Sequence, residues 1–208
     1  MEFYKFDMPE STFSEEILWR QFISGNSFAF EKLVDSTYRL LFQYGGKFCR
    51  DQDLVKDCIQ DVFLALWESR LSLNSSIPPR PYLLASLRRR INRKVQSDRL
   101  ELNSIDENFF CTEFTIEEDL IEMEESREMS SKLSYLFNHL PPRQKEIIYL
   151  KFYQNLTREE IAEVMQISPQ SVSNLFQKSL YWLRNNWASP TLLSLVGLFN
   201  YFKIFLSK

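Results

Sequence analysis

Histidine is nearly absent from this chain of 208 residues: the single one is His139. That removes histidine-based triads and multi-histidine metal sites from consideration. The three cysteines, Cys49, Cys58 and Cys111, are odd in number and lack CxxC spacing. A disulfide framework and a structural zinc site are therefore not expected, and a reducing compartment is. Glycine is scarce, with 4 residues against 8 prolines, which leaves little material for tight β-hairpins or phosphate-cradling loops. A P-loop, a dinucleotide fingerprint and a small all-β fold are accordingly not expected. The opening Met1-Glu2-Phe3-Tyr4-Lys5-Phe6-Asp7 has no basic stretch followed by an apolar run, so no secretory signal is read there. Nothing gathers His, Cys or paired carboxylates into a site, and neither catalysis nor a metal, cofactor or small-molecule substrate is expected. What is present is ordinary for a globular protein: 44% hydrophobic and 25% charged residues. The length suits one large domain or two small ones. The expectation is a cytoplasmic, all-α protein.

The net charge of −3 conceals a segregation. Residues 1–79 hold 8 basic and 12 acidic side chains. Residues 80–99 hold seven basic ones (Arg80, Arg88, Arg89, Arg90, Arg93, Lys94, Arg99) against Asp98 alone, a net of +6. Residues 101–128 reverse this, with eleven acidic side chains and only Arg127 as a base, a net of −10. Residues 141–187 return to +2. A single charged run is most simply a solvated face. Alternating blocks fit a chain that meets nucleic acid in two places with something different between them.

Apolar periodicity places the helices. Residues 14–44 read as helical with a break at Gly25-Asn26, because Phe30, Leu33, Val34, Thr37, Leu40, Leu41 and Tyr44 recur at spacings of three and four. Gly45-Gly46 marks a weak point or turn. Over 52–70, Val55, Cys58, Ile59, Val62, Phe63 and Leu66 make an apolar stripe, while Asp57, Gln60, Asp61, Leu64 and Glu68 line another face. Residues 72–81, with three prolines, read as a loop. A basic helix follows from Tyr82 to about Leu100, with Leu84, Leu87, Ile91 and Val95 facing inward. The acidic 101–129 stretch reads as a linker, turning helical near Asp119.

The last compact unit covers 130–188. Leu133, Leu136, Phe137 and Leu140 lead to Pro141-Pro142, after which a helix restarts through Ile147, Ile148 and Leu150. Thr157-Arg158-Glu159-Glu160 is a capping box, with Thr157 as cap and Glu160 reaching back. Ala162, Ile167, Val172 and Leu175 then fall where a helix-turn-helix needs a small crossing residue and apolar anchors. Ser168 caps its second helix and Pro169 occupies the first turn. Gln170, Ser171, Ser173, Asn174, Gln177 and Lys178 are the positions expected on the exposed face, offering amides to base edges and a cation to phosphate. Gln166 stands at the turn position usually given to glycine, at a penalty on the order of 1 kcal/mol. An ordinary αα-hairpin is the plainer alternative.

Three stretches in this order resemble the extracytoplasmic-function group of sigma factors, the smallest sigma-70-type initiation factors. Gly25-Asn26-Ser27-Phe28-Ala29-Phe30-Glu31-Lys32-Leu33-Val34 is similar to the opening helix of that family's second region. Asp57-Cys58-Ile59-Gln60-Asp61-Val62-Phe63-Leu64-Ala65-Leu66-Trp67 resembles the region's acidic–Gln–acidic helix, and Leu140-Pro141-Pro142-Arg143-Gln144 with the helix-turn-helix resembles the fourth region. The resemblance spans about 14–187. It implies that Asp57, Gln60, Asp61, Leu64 and Trp67 dock on the clamp of the largest subunit of RNA polymerase core. Without it, that stripe is more simply a solvated polar face. It implies that Asn74 and Arg80, in the loop before the basic helix, and Arg88, Arg89, Arg90, Arg93 and Lys94 along it, bind and help melt the minus-ten promoter element. Arg89 stands where relatives often carry Asn. It implies that the helix-turn-helix reads the minus-thirty-five element beside the flap of the second subunit, that the linker threads positively lined channels of the polymerase, and that an anti-sigma factor is a partner.

The implied layout is two small helical domains, 1–100 and 130–188, joined by the acidic linker 101–129 and followed by an apolar tail, 189–208. As a helix, the run from Thr191 to Leu206 would span about 24 Å, short of the roughly 30 Å bilayer core, and Asn200 and Lys203 interrupt it. The tail is expected to pack on the C-terminal domain or a partner, with membrane-surface contact as the alternative. The competing reading of the whole is a stand-alone helix-turn-helix regulator, which would bind its operator tightly without polymerase. A third is an interaction protein tethered to a membrane by its tail.

Overall fold

The computed structural model describes residues 15–100, 110 and 134–186, without the side chains of 96–100. The helical turn expected near Asp119, the apolar tail and most of the linker lie outside the described residues. All regular structure among those described is helical. The helices are α1 (Glu15–Ile23), α2 (Ser27–Gly45), α3 (Gln52–Ser69), α4 (Pro79–Leu100), α5 (Pro142–Phe152), α6 (Arg158–Met165) and α7 (Pro169–Asn186). A 3-10 turn, Arg70–Ser72, follows α3, and residues 134–138 are also helical.

Helix boundaries follow local chemistry. Asn26 caps α2, its side chain accepting from the Ala29 amide, and Asp51 caps α3 through the amides of Asp53 and Leu54. The predicted loop over 72–81 ends earlier than its prolines suggested. Pro79 and Pro81 are instead buried in the first turn of α4, where a missing amide leaves no bond unmade and the fixed φ suits the helix. Gly45 is needed at the end of α2, because a Cβ there would lie 2.7 Å from Cγ1 of Val55 and 3.2 Å from Cδ1 of Ile91. The helix axis passes so close to α3 and α4 that only hydrogen fits.

The expected apolar stripes are the buried ones. Val55, Cys58, Ile59, Val62, Phe63 and Leu66 of α3 and Leu84, Leu87 and Ile91 of α4 are all buried, each large side chain contributing about 1.5–3 kcal/mol. Trp19 and Phe22 of α1 complete this first half, with Phe22, Phe30 and Trp67 in mutual ring contact. In the second half α5, α6 and α7 bury Ile147, Ile148, Leu150, Ile161, Val164, Met165, Val172 and Phe176.

The two halves are not apart. Buried side chains form one cluster running from Trp19 and Phe22 through Tyr44, Phe48 and Phe110 to Tyr149, Val164 and Phe176. Helix α4 of the first half packs along α6 of the second. Phe110, within the stretch read as linker, is 2% exposed; it meets Phe48 edge-on at 5.2 Å and lies tilted against Tyr149 at 5.8 Å.

Candidate nucleic-acid interface

Helices α6 and α7 form the expected helix-turn-helix. The Thr157 capping box is complete: Oγ1 accepts from the Glu160 amide, and a Glu160 carboxylate oxygen accepts from the Thr157 amide at 2.7 Å. Ala162 is buried between the helices. Gln166 takes the left-handed conformation, with φ 55 and ψ 48, and ends α6 in a Schellman arrangement. Its amide donates to the Glu163 carbonyl, and the Ile167 amide donates to that of Ala162. Ser168 then accepts from the Ser171 amide, starting α7.

On α7, Gln170, Asn174, Gln177 and Lys178 are exposed, and Gln170 donates its amide to Asn174 Oδ1 at 3.0 Å. Ser171 is half-buried, its hydroxyl 2.9 Å from that of Ser168. Ser173 corrects the expectation of an exposed position. It is 5% exposed and its hydroxyl donates back to the carbonyl of Pro169, four residues earlier on the same helix. The outward amide face is therefore Gln170, Asn174 and Gln177, with Lys178 beside it.

The basic helix α4 presents its cations in three different ways. Arg89 and Arg93 are exposed and, with Tyr82, Ser86 and Arg90, line a groove of about 250 Å³ floored by Val62, Ala65 and Leu66 of α3. Arg90 and Lys94 reach across to one carboxylate oxygen of Asp61, at 3.1 and 3.6 Å. Arg88 points away from both, into the junction between the halves. Its Nε and Nη2 donate to the two oxygens of Glu146 at 2.7 and 3.2 Å. In the preceding loop, Asn74 is exposed and its side chain accepts from the Ser76 amide. Arg80 is half-buried and pairs with Glu15 at 2.6 Å.

The polar stripe of α3 is surface for most of its length. Asp57, Gln60 and Leu64 are exposed, Leu64 at 58%. The expectation of one uniform docking face meets two qualifications. Asp61 is half-buried and shared with Arg90 and Lys94, so the stripe and the basic helix are electrostatically joined. Trp67 is half-buried against Phe22 and Phe30, with the Arg70 guanidinium over its ring at 4.5 Å. Its partners make it part of the packing of the first half.

The junction itself was not signalled by any motif. Glu146 is 2% exposed and accepts from the Tyr44 hydroxyl at 2.8 Å as well as from Arg88. Burial, reinforced by the Glu146 charge, pushes the Tyr44 hydroxyl well above its ordinary value. Burial alone would lower Arg88, but the attraction and hydrogen bond of Glu146 outweigh it and hold the guanidinium charged. The Tyr44 ring stacks on Tyr149 at 5.9 Å, and burial pushes the Tyr149 hydroxyl up to about 12. Its only sequence trace is a long-range coincidence of a tyrosine, an arginine and a glutamate, which periodicity does not register.

Among the described residues there is no cluster of His, Cys, Asp or Glu suited to a metal ion, and no helix is long and apolar enough to cross a membrane. Known proteins bear on this arrangement in two ways. Solved structures with the same fold include CnrH in complex with the cytosolic domain of CnrY, 20% identical over 82% of this chain and 95% of that one, at a TM-score of 0.55. Another is the sigma factor RpoE in complex with the anti-sigma factor NepR from Bartonella quintana, 14% identical over 75% of this chain and 94% of that one, also at 0.55. No curated protein matches the sequence significantly. The family models for sigma-70 region 2 and sigma-70 region 4 match residues 33–100 and 130–183, in that order. They run from within α2 to the end of α4 and from before α5 to within α7, the two bodies whose surfaces carry the polar stripe, the basic helix and the helix-turn-helix. The chain belongs to the sigma-70 family and is a sigma factor of the compact, two-region extracytoplasmic-function type.

Proposed function

We propose that the chain, working in the cytoplasm, docks on the clamp of RNA polymerase core through Asp57, Gln60 and Leu64 of α3. It directs the enzyme to promoters through two separate DNA surfaces. The observation that carries this reading is the concentration of outward-facing polar side chains on three helix faces. Asp57 and Gln60 stand outward on α3, Arg89 and Arg93 on α4, and Gln170, Asn174 and Gln177 on α7. A carboxylate face suits arginines of a partner helix. An arginine pair beside an apolar-floored groove suits phosphates and an unstacked base, each stacked base being worth about 1–3 kcal/mol. An amide face on the second helix of a helix-turn-helix suits base edges in the major groove.

The domain division is 1–100 for core and minus-ten binding, 101–129 for the linker, 130–188 for minus-thirty-five recognition beside the flap, and 189–208 for the tail. The net −10 of the linker suits the positively lined channels of the enzyme and repels free DNA. An anti-sigma partner is supported by RpoE, whose structure was determined with the anti-sigma factor NepR. The chain itself supplies no chemical step; its contribution is positioning and strand capture, and the polymerase forms the bonds. Transcription with core polymerase on a genomic promoter library tests the reading. A discrete set of start sites that depends on the chain is expected. Tight, sequence-specific operator binding without polymerase would overturn it in favour of a stand-alone regulator.

A further inference from the structure

We propose that the chain has a closed state in which Glu146 acts as an internal substitute for DNA phosphate on Arg88, so that opening of the two halves and polynucleotide binding are linked. The competition for phosphate rests on the promoter-binding reading of α4; the closed state rests on geometry alone. A guanidinium meets a carboxylate and a phosphate with the same two-pronged arrangement. Here both prongs of Arg88 are taken, by the two oxygens of Glu146. Both partners are largely covered: the Arg88 side chain is 14% exposed and that of Glu146 2%. The Tyr44 hydroxyl donates to the same carboxylate, tying α2, α4 and α5 at one point.

A second, apolar set of contacts closes the same junction. Tyr44 stacks on Tyr149, and Phe110 is wedged between Phe48 and Tyr149. Helix α6, the first helix of the helix-turn-helix, packs on α4. The two DNA surfaces are therefore held in one fixed relation while the junction is shut, and Arg88 cannot touch phosphate. Arg89 and Arg93 remain exposed and supply what binding the closed form has. A ligand that needs Arg88 binds only the open fraction, so its apparent affinity falls by that fraction. By linkage, the same ligand draws the halves apart.

The test uses the full chain with donor and acceptor dyes on Gln43 and Glu163, both exposed and on opposite halves, and a mixed-sequence 30-nucleotide single-stranded DNA as probe. In the wild type the dyes should report one short distance, with a longer population growing as DNA is added. Glu146→Gln, which keeps an acceptor for Tyr44 but removes the charge, should populate the longer distance without DNA. It should also raise affinity for the probe about 3- to 10-fold. Releasing one phosphate-binding cation should steepen the slope of log affinity against log salt by about 0.7, and Arg88→Gln in the same chain should cancel that change. Should Glu146→Gln lose helicity, Tyr44→Phe keeps the ring stack, removes one bond to the carboxylate and should move all three readings in the same direction. Unchanged distances with helicity retained would overturn the closed state. An opened chain with unchanged affinity and salt slope would overturn the phosphate substitution. Both readouts are independent of polymerase, so a chain that opens and binds as described yet fails to support transcription would count against the functional reading and leave the latch standing.

Discussion

Ser173 and Asn174 are neighbours on α7, yet only one of them faces outward. Ser173 returns its hydroxyl to the Pro169 carbonyl and is buried, whereas Asn174 is exposed beside Gln170. Asn174→Ala should therefore weaken promoter binding by the holoenzyme by about 1–3 kcal/mol, the value of a good base contact. Ser173→Ala should leave that affinity unchanged, and footprinting across a dilution series compares the two. The helical period pointed to the general face but not to its edge. At i, i+3 and i+4 spacing a residue on the boundary is read equally well as inside or outside, and the hydroxyl of serine can satisfy itself on its own helix. The same limit affected Arg88: six neighbouring cations looked alike in sequence, and only the glutamate 58 residues away distinguishes it.

At the scale of elements, caps and stripes were legible because they are local. Asn26, Asp51 and the Thr157 box each act within three residues. The start of α4 was misread, since prolines signal loops and first turns alike and the choice depends on the packing of Pro79 and Pro81 against the first half. The turn of the helix-turn-helix was read correctly from a departure: Gln166 occupies the left-handed position that glycine would fill without strain. Gln166→Gly should therefore stabilise the fold by about 0.5 kcal/mol, the relief of on the order of 1 kcal/mol being partly offset by a more flexible unfolded chain. Thermal unfolding reads this as a small rise in Tm, and a fall would contradict the assigned turn geometry.

For the whole molecule, the junction between the halves dictates behaviour that neither half shows alone. Tyr44 and Tyr149 are both buried there with hydroxyls raised above the ordinary 10.0, Tyr149 to about 12. A group whose folded value lies above its unfolded one contributes its full stability below the unfolded value and loses it as pH rises toward the folded one. Stability should hold up to about pH 10 and fall between there and pH 12, with the dye distance lengthening over the same interval. Tyr44→Phe should flatten part of that fall. The division into two bodies was visible in the charge blocks and motif order, but their contact was not. Tyr44 and Glu146 are separated by 102 residues, and no local pattern links them.

The central claim is that one face of α3 grips the transcription machine while other surfaces handle DNA. Its most direct test is the affinity of labelled chain for core RNA polymerase with Asp57→Lys, a substitution at an exposed residue outside the Arg90–Asp61–Lys94 pairing. At least a tenfold loss of core binding is expected, with helicity and Tm unchanged. Wild-type affinity for core in that variant would contradict it.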